Sequence, residues 1–371
     1  MNDVIVVGGG LSGLINAILL NRTGLKVVLI EKKKYPFHRV CGEYISNEVI
    51  PFLKTHRLFP ETFDPVDISQ FQLTSTNGES LQMPLDLGGF GISRYNFDHW
   101  LMQIADREGV QVLEDTTVED ISFVNDSFMV FPRGKAEMEA RLVIGAFGKR
   151  STLDKKLNRK FIAKRSPFVG VKYHIRTDRV AHDIVALHNF EGGYCGVSRV
   201  EDGKFNLCYL SSRHNLQKHQ SIGEMEQEVL CKNPFLNEIF NESDFLFDHP
   251  EVINEISFSP KEIVRDHILM SGDAAGMITP LCGNGMAMAI HASKLCVESV
   301  QLFYQGKINR EEMEESYLLN WKKTFSIRHW AGRKIQGLFG GTGPSNFAVK
   351  LGKISRPTAR YLMKQTHGQP F

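Results

Sequence analysis

Near the start of the chain, apolar residues come in two short uninterrupted blocks rather than in alternation. Residues 4–7 (VIVV) and 27–30 (VVLI) contain no polar position, the pattern of strands buried on both faces. Between them Leu14, Ala17 and Ile18 recur at helical spacing, and the pattern stops near Gly24. A strand, helix and second strand are therefore expected in that order. The turn out of the first strand is Gly8-Gly9-Gly10-Leu11-Ser12-Gly13, with G-x-G-x-x-G spacing, and the second strand ends on Glu31. Each piece has a task in holding a dinucleotide. Gly8 allows the tight turn, Gly10 lets backbone approach a pyrophosphate, and Gly13 permits close packing of helix on strand. Free N–H groups at the helix start, around Ser12, face the phosphates, and Glu31 accepts hydrogen bonds from a ribose. Lys32, beside the acid, joins the expected cofactor-binding set.

Further along, the pattern alternates between helical and strand periods. A loop at 35–42 leads into a helical pattern at 43–55. Residues 68–74 and 79–83 alternate as antiparallel strands. The glycines at 88–91 predict a flexible loop ending on Arg94, and Asn96 is placed to cap a helix to about residue 107. Residues 110–113 read as a third strand of the nucleotide sheet, 117–132 as a small meander turning at Asn125-Asp126, and 141–146 as another buried strand. From 167 to 210 the texture is of strands (168–176, 184–190, 194–200 and 205–210), with Glu201-Asp202-Gly203 as a hairpin turn. A helix at 222–231 follows, a strand at 268–271 rejoins the first sheet, and helices are expected at 284–304, 310–330 and 345–363.

These elements predict an α/β protein. A discontinuous Rossmann-like dinucleotide-binding domain spans 1–160 and 261–310, with 66–95 joining the neighbouring sheet. An inserted antiparallel β-sheet substrate domain spans 161–260, and a helical C-terminal region spans 311–371. A chain of 371 residues is long enough for two domains, and 42% hydrophobic with 23% charged residues is ordinary for a globular protein. The six cysteines are scattered without C-x-x-C spacing, which points to a reducing, cytoplasmic setting and to no metal site. The N-terminus lacks a basic leader and carries Asp3, so it is not read as a signal peptide. No stretch of about 18 apolar residues predicts a membrane span. Net charge is +2, yet from Ser316 onward there are ten Lys or Arg and no Asp or Glu. That run is either a solvated surface or a docking face for an acidic carrier protein, a phosphorylated substrate or a membrane surface. Nucleic acid is not expected as a partner.

A second strand–acid–glycine–helix arrangement lies at Gly272-Asp273-Ala274-Ala275-Gly276, followed by Pro280 and Gly283-Asn284-Gly285-Met286. Asp273 can bind ribityl hydroxyls, and the helix beginning near Gly285 aims its positive end at the pyrimidine edge of a flavin. FAD proteins need such a second site and NAD proteins do not. With both motifs in place, the chain resembles FAD-dependent oxidoreductases of the p-hydroxybenzoate hydroxylase and geranylgeranyl reductase-like group. The resemblance implies that Gly8, Gly10, Gly13 and Glu31 hold the ADP half of FAD. It implies that Arg94, before Phe97-Asp98-His99-Trp100-Leu101, reaches the cofactor, that Val118 stands near adenine, and that Asp273 binds the ribityl chain. Gly283, Gly285, Met286 and Ala287 fall beside the isoalloxazine. Arg39-Val40-Cys41-Gly42-Glu43 resembles a Cys-Gly segment close to the flavin in the reductases. Cys41 there either lines the active site or packs as a small residue; Ser46 is a weaker candidate.

Two positions depart from the group. Phe147 stands where an acid that places both FAD and pyridine nucleotide is usual, which puts reduction by NAD(P)H in doubt. Residues 193–199 keep Tyr194 but lack the Trp, Phe and Pro of the reductases' Y-x-W-x-F-P strand. A W-x-W-x-I-P pair is also missing, which weakens a halogenase reading. The group's commonest chemistry slightly favours monooxygenase-type hydroxylation of a bulky apolar or aromatic substrate. Saturation of C=C bonds in an isoprenoid or lipid is the alternative, and a non-catalytic escort protein a second one. Lys172, Tyr173, His174 and Tyr194 are candidates for substrate hydrogen bonding or proton transfer. Alternation sends Lys172 and His174 to one face of their strand and Tyr173 to the other. Phe168, Phe190, Tyr194, Phe205 and Tyr209 form either a partly aromatic pocket wall or the insert's own core.

Overall fold

The computed structural model describes every residue except 164–165, 279–283, 337–339 and 365–367; side chains at 335, 336 and 362 are likewise outside the description. Gly283 and Pro280 of the second glycine motif fall among the undescribed residues. The N-terminal elements form as their pattern requires: β1 (Asn2–Val7), α1 (Leu11–Asn21) and β2 (Val27–Ile30). Then come β3 (Tyr44–Ser46), α2 (Ile50–Thr55), β4 (Val66–Thr74), β5 (Ser80–Gly91), α3 (Arg94–Arg107) and β6 (Gln111–Leu113). A meander of β7 (Val118–Val124), β8 (Ser127–Pro132) and β9 (Met138–Gly145) leads into the short α4 (Thr152–Lys156). The strand-rich stretch is β10 (Phe168–Arg176), β11 (Ile184–Phe190), β12 (Gly193–Arg199) and β13 (Phe205–Ser212). It continues through α5 (Arg213–Lys218), α6 (Ile222–Val229), α7 (Pro234–Glu242), β14 (Asp244–Phe245) and β15 (Glu251–Asn254). The chain returns by β16 (Val264–Arg265) and β17 (Ile268–Met270) and ends in α8 (Gly285–Tyr304), α9 (Arg310–Gln336), α10 (Thr342–Ile354) and α11 (Arg356–Lys364).

Among the described residues the strands make two sheets. The first has the order β16-β17-β9-β1-β2-β6, with β8 and β7 continuing from β9. Its centre is parallel: β1 pairs with both β2 and β9, and β17 with β9. The second runs β14-β10-β13-β12-β11-β4-β5-β3, with β15 beside β10. It is antiparallel except where β11 meets β4. Segments from the first half of the chain thus complete the second sheet.

Three packed clusters follow from this layout. The largest surrounds the parallel sheet and takes in α1, α3, α8 and the Tyr317, Trp321, Phe325 face of α9; the Tyr317 hydroxyl donates to Met270 O at 2.7 Å. The second lies behind the other sheet, under α6 and α7. The third covers the opposite face of that sheet and includes Leu73, Leu81, Leu187, Tyr194, Leu210 and Val349 of α10.

Several local expectations are corrected. Residues 43–55 do not form one helix: β3 pairs with β5, and only Ile50–Thr55 is α-helical. Gly88–Gly91 are strand rather than loop, because β3 and β4 both pair with them. Ser93, not Asn96, caps α3, its Oγ accepting from Asn96 N at 3.2 Å. The expected helix 345–363 is two helices broken at Ser355.

Candidate active site

The glycine turn after β1 is fixed by close approach. Gly8 has φ +109°, and a Cβ on Gly13 would stand 1.8 Å from Gly8 O, inside contact distance. Gly13 therefore packs the turn, while Gly8, Gly10 and Ser12 line a cavity. α1 begins at Gly10 with no side-chain cap, which leaves its first N–H groups available to an anion. Ser12 turns its hydroxyl toward Ser271 Oγ (2.6 Å) and Ser293 Oγ (3.1 Å), tying α1 to the end of β17 and to α8.

Glu31 is buried at the end of β2, its Oε2 accepting from Gly9 N at 2.8 Å and its Oε1 from Lys33 N at 3.0 Å. Arg39 Nη2 donates to the same Oε2 at 3.1 Å. From there a chain of charges runs on: Arg39 Nε to Asp98 at 3.0 Å, and Arg94 Nε and Nη2 to Asp98 at 2.6 and 2.7 Å. Burial works against the Arg94 charge, but Asp98 and then Cys41 outweigh it and hold the guanidinium protonated. Arg94, Arg39, Lys32 and Val118 all line the cavity.

The Cys41–Glu43 segment joins this cradle to the second sheet. Gly42 O accepts from Ser198 Oγ and Cys41 O from Asn206 Nδ2, both at 3.1 Å. Glu43, fully buried and at φ +54°, is the pin of the segment. Its Oε1 takes Lys172 Nζ at 2.5 Å and Arg94 N at 2.8 Å, and its Oε2 bonds His174 Nε2 at 2.6 Å. Burial alone would raise this carboxyl, but Lys172 and His174 pull it down to about 2. His38, on the cavity side, stacks on Tyr95 with centroids 4.6 Å apart and meets His174 edge-on at 5.2 Å. Burial, with Lys172 next, pushes it down to about 4. Cys41 lines the cavity, and burial pushes its thiol up, so it stays protonated.

The opposite wall comes from the second glycine motif. Gly272, Asp273, Gly285 and Met286 line the cavity, whereas Ala287 is fully buried behind it. α8 starts at Asn284 with no side-chain cap, the second bare helix start on this cavity. Burial raises the Asp273 carboxyl against the pull of Lys261 and Arg94. Lys261 donates to the backbone oxygens of Lys149 and Asp273, both at 2.7 Å, and burial lowers both lysines to about 8. Phe147 also faces the cavity. Two bare helix starts, a glycine turn that admits no Cβ and a buried acid at a strand end fit the pyrophosphate, ribose and ribityl parts of a flavin dinucleotide.

The cavity measures about 1000 Å³, the upper end of ordinary ligand pockets. It continues past Cys41 and Gly196 along the second sheet to Leu73, Leu81, Leu187, Tyr194 and Leu210, and is closed by Phe347, Leu351 and Met363 of the last two helices. This wall is largely aliphatic. Of the aromatics weighed for it, Phe190 and Phe205 belong to the cluster on the other face; Tyr209 packs there too, where it and Tyr173 donate to Glu226, and it also borders the cavity. Phe168 does not line the cavity, and Tyr194 does. Lys172 does not reach it either, being held on Glu43. Alternation placed Lys172 and His174 together correctly. What it missed was Glu43, Asp98 and Glu201, which accepts from Ser93 N at 2.8 Å and Asn96 Nδ2 at 2.8 Å. Among the described residues no His, Cys, Asp or Glu cluster could hold a metal.

Comparison with known proteins agrees with this geometry. The family described as FAD binding domain matches residues 1–316. Conditioned medium factor receptor 1 of Dictyostelium discoideum is 24% identical over 346 residues, 84% of this chain and 66% of the receptor. The chain thus spans about two thirds of that relative's length. Digeranylgeranylglycerophospholipid reductase of Methanosarcina acetivorans is 25% identical over 341 residues, 87% of this chain and 81% of the reductase. Among solved structures, a flavin-dependent brominase shares the fold with a TM-score of 0.79 at 17% identity, covering 98% of this chain and 93% of its own.

Proposed function

The chain belongs to the FAD-binding domain family, and from that premise we propose that it is an FAD-dependent oxidoreductase that saturates C=C bonds in a long isoprenoid or lipid chain. FAD is its cofactor. The observation that carries the substrate class is the largely aliphatic wall that runs from the Cys41–Gly42 segment to Leu351 and Met363. Such a wall suits an extended hydrocarbon better than a compact aromatic ring. Phe190 and Phe205, two of the aromatics weighed for the pocket wall, are packed on the far face of the sheet instead. The likeness to a digeranylgeranylglycerophospholipid reductase supports the same reading.

When bound, FAD supplies the two-electron redox chemistry. Gly8, Gly10, Glu31, Arg39, Arg94, Val118 and Asp273 would hold it, with Gly285 and Met286 at the ring end. Cys41 keeps a proton on Sγ at the boundary between cradle and aliphatic wall, where it can serve as the proton donor to substrate carbon. Glu43 positions that segment through Lys172 and His174. Tyr194 contacts substrate on the sheet. Phe147, lacking a carboxylate, gives slow reduction by NADPH; stopped-flow bleaching as fast for the native protein as for Phe147→Asp contradicts this.

The test is product mass. The FAD-loaded protein, chemically reduced and mixed with a digeranylgeranyl glycerophospholipid in detergent, is expected to yield products heavier by two hydrogens per double bond. Oxygenated products would establish the hydroxylase instead. A purified chain that shows no flavin absorbance and takes up no FAD would leave the escort reading.

A further inference from the structure

α10 and α11 have two faces. Ala348, Leu351, Ala359 and Met363 turn inward and line the cavity. Outward, Phe347, Ile354 and Tyr361 are 60%, 84% and 63% exposed. They recur every seven residues, and on α10 that spacing returns to nearly the same side of the helix. Lys350, Lys353, Arg356, Arg360 and Lys364 are exposed around them, within the stretch that contains no acid from Ser316 onward. Lys353 reaches Glu79, just before β5 (3.3 Å), and Lys364 reaches Asp86 on β5 (3.8 Å). Phe347 belongs to both faces, since it lines the cavity and is exposed.

Exposed large apolar side chains set among cations, on helices that also wall a lipophilic cavity, are the features of an interfacial helix pair. Charge complementarity selects an anionic surface. No helix among the described residues is long and apolar enough to cross a bilayer, so the contact is at the surface. We infer that α10 and α11 dock the protein on an anionic phospholipid bilayer, with Ile354 and Tyr361 entering the headgroup layer and the aliphatic end of the cavity facing the lipid. An acidic carrier protein would satisfy the cations but leave Ile354 and Tyr361 uncovered. The inference rests on the lipid reading of the cavity, so its test is read without turnover.

The FAD-loaded full chain is sedimented with vesicles of phosphatidylcholine alone and of phosphatidylcholine mixed with phosphatidylglycerol, with a soluble acidic acyl carrier protein as competitor. Binding to the mixed vesicles only is expected. Arg356→Glu with Arg360→Glu, and separately Ile354→Ser with Tyr361→Ser, should each weaken it about tenfold or more. Flavin absorbance and melting temperature report that each variant is folded. A chain that stays in solution with mixed vesicles at low salt overturns the inference. So does an Ile354→Ser/Tyr361→Ser variant that binds like the native protein, or displacement by the carrier protein. Intact vesicle binding without turnover of the lipid contradicts only the reductase reading.

Discussion

Glu43 carries more of the architecture than its place in the sequence indicates. A non-glycine residue in the left-handed region is uncommon, and a fully buried carboxylate is tolerated only when paired. Glu43 is both, held by Lys172 and His174 from a strand more than 120 residues away. The motif around Cys41-Gly42 was visible in the sequence. The partners of the next residue were not, because nothing local encodes a pairing between distant segments. Removing one member of a buried pair leaves the other charge uncompensated, so Glu43→Ala should cost about 3–5 kcal/mol in urea unfolding. Glu43→Leu combined with Lys172→Met should recover most of it. A single variant within about 1 kcal/mol of the native protein would mean the pair is not the pin described here. Glu226 offers a second residue-scale test. Burial raises its carboxyl to about 7, with the Tyr209 and Tyr173 hydroxyls opposing. A raised carboxyl contributes stability fully present below its ordinary value near 4.5 and lost as pH rises through about 7. The loss amounts to about 3 kcal/mol. Melting temperature should fall across that window, and Glu226→Gln, which can still accept both hydroxyls, should flatten the slope. A variant with the native slope refutes the assignment.

At the scale of elements, the legible parts were those whose period matched their environment. Val4–Val7 of β1, β2 and the second half of β9 (Leu142–Ile144), buried on both faces, show as unbroken apolar blocks, and β10 and β11 fall at their predicted bounds. The end of β5 was not legible, because three glycines within four residues (Gly88, Gly89 and Gly91) are ordinarily loop. Tertiary approach overrides that preference: a Cβ on Gly91 would lie 1.8 Å from Arg199 O, and one on Gly89 2.3 Å from the Tyr44 ring. Whether the insert's aromatics wall the pocket or fill its core stayed open for a related reason, since alternation gives two faces but does not say which one meets the cavity. Gly196 on β12 makes the cavity face testable. An added Cβ there would meet only Cys208 O, at 3.6 Å, so a larger side chain has room to enter the cavity. Gly196→Trp should retain flavin binding and a native melting temperature while losing at least about tenfold in affinity for a twenty-carbon isoprenoid chain, read as a perturbation of the flavin spectrum. Unchanged affinity would place the hydrocarbon elsewhere.

For the molecule as a whole, the FAD cradle was legible because both of its halves are local motifs, a strand, a glycine turn and a helix. The continuity of the cavity was not, since it depends on β3, β4, β5, α10 and α11 meeting one face of the inserted sheet. One cavity of about 1000 Å³ joins the FAD cradle to the largely aliphatic wall. The most direct test of the proposed reaction is anaerobic. The FAD-loaded protein is photoreduced, mixed without oxygen with a digeranylgeranyl glycerophospholipid, and followed by flavin absorbance. The oxidised spectrum should return in step with loss of double bonds. A flavin that stays reduced until oxygen is admitted would contradict the account.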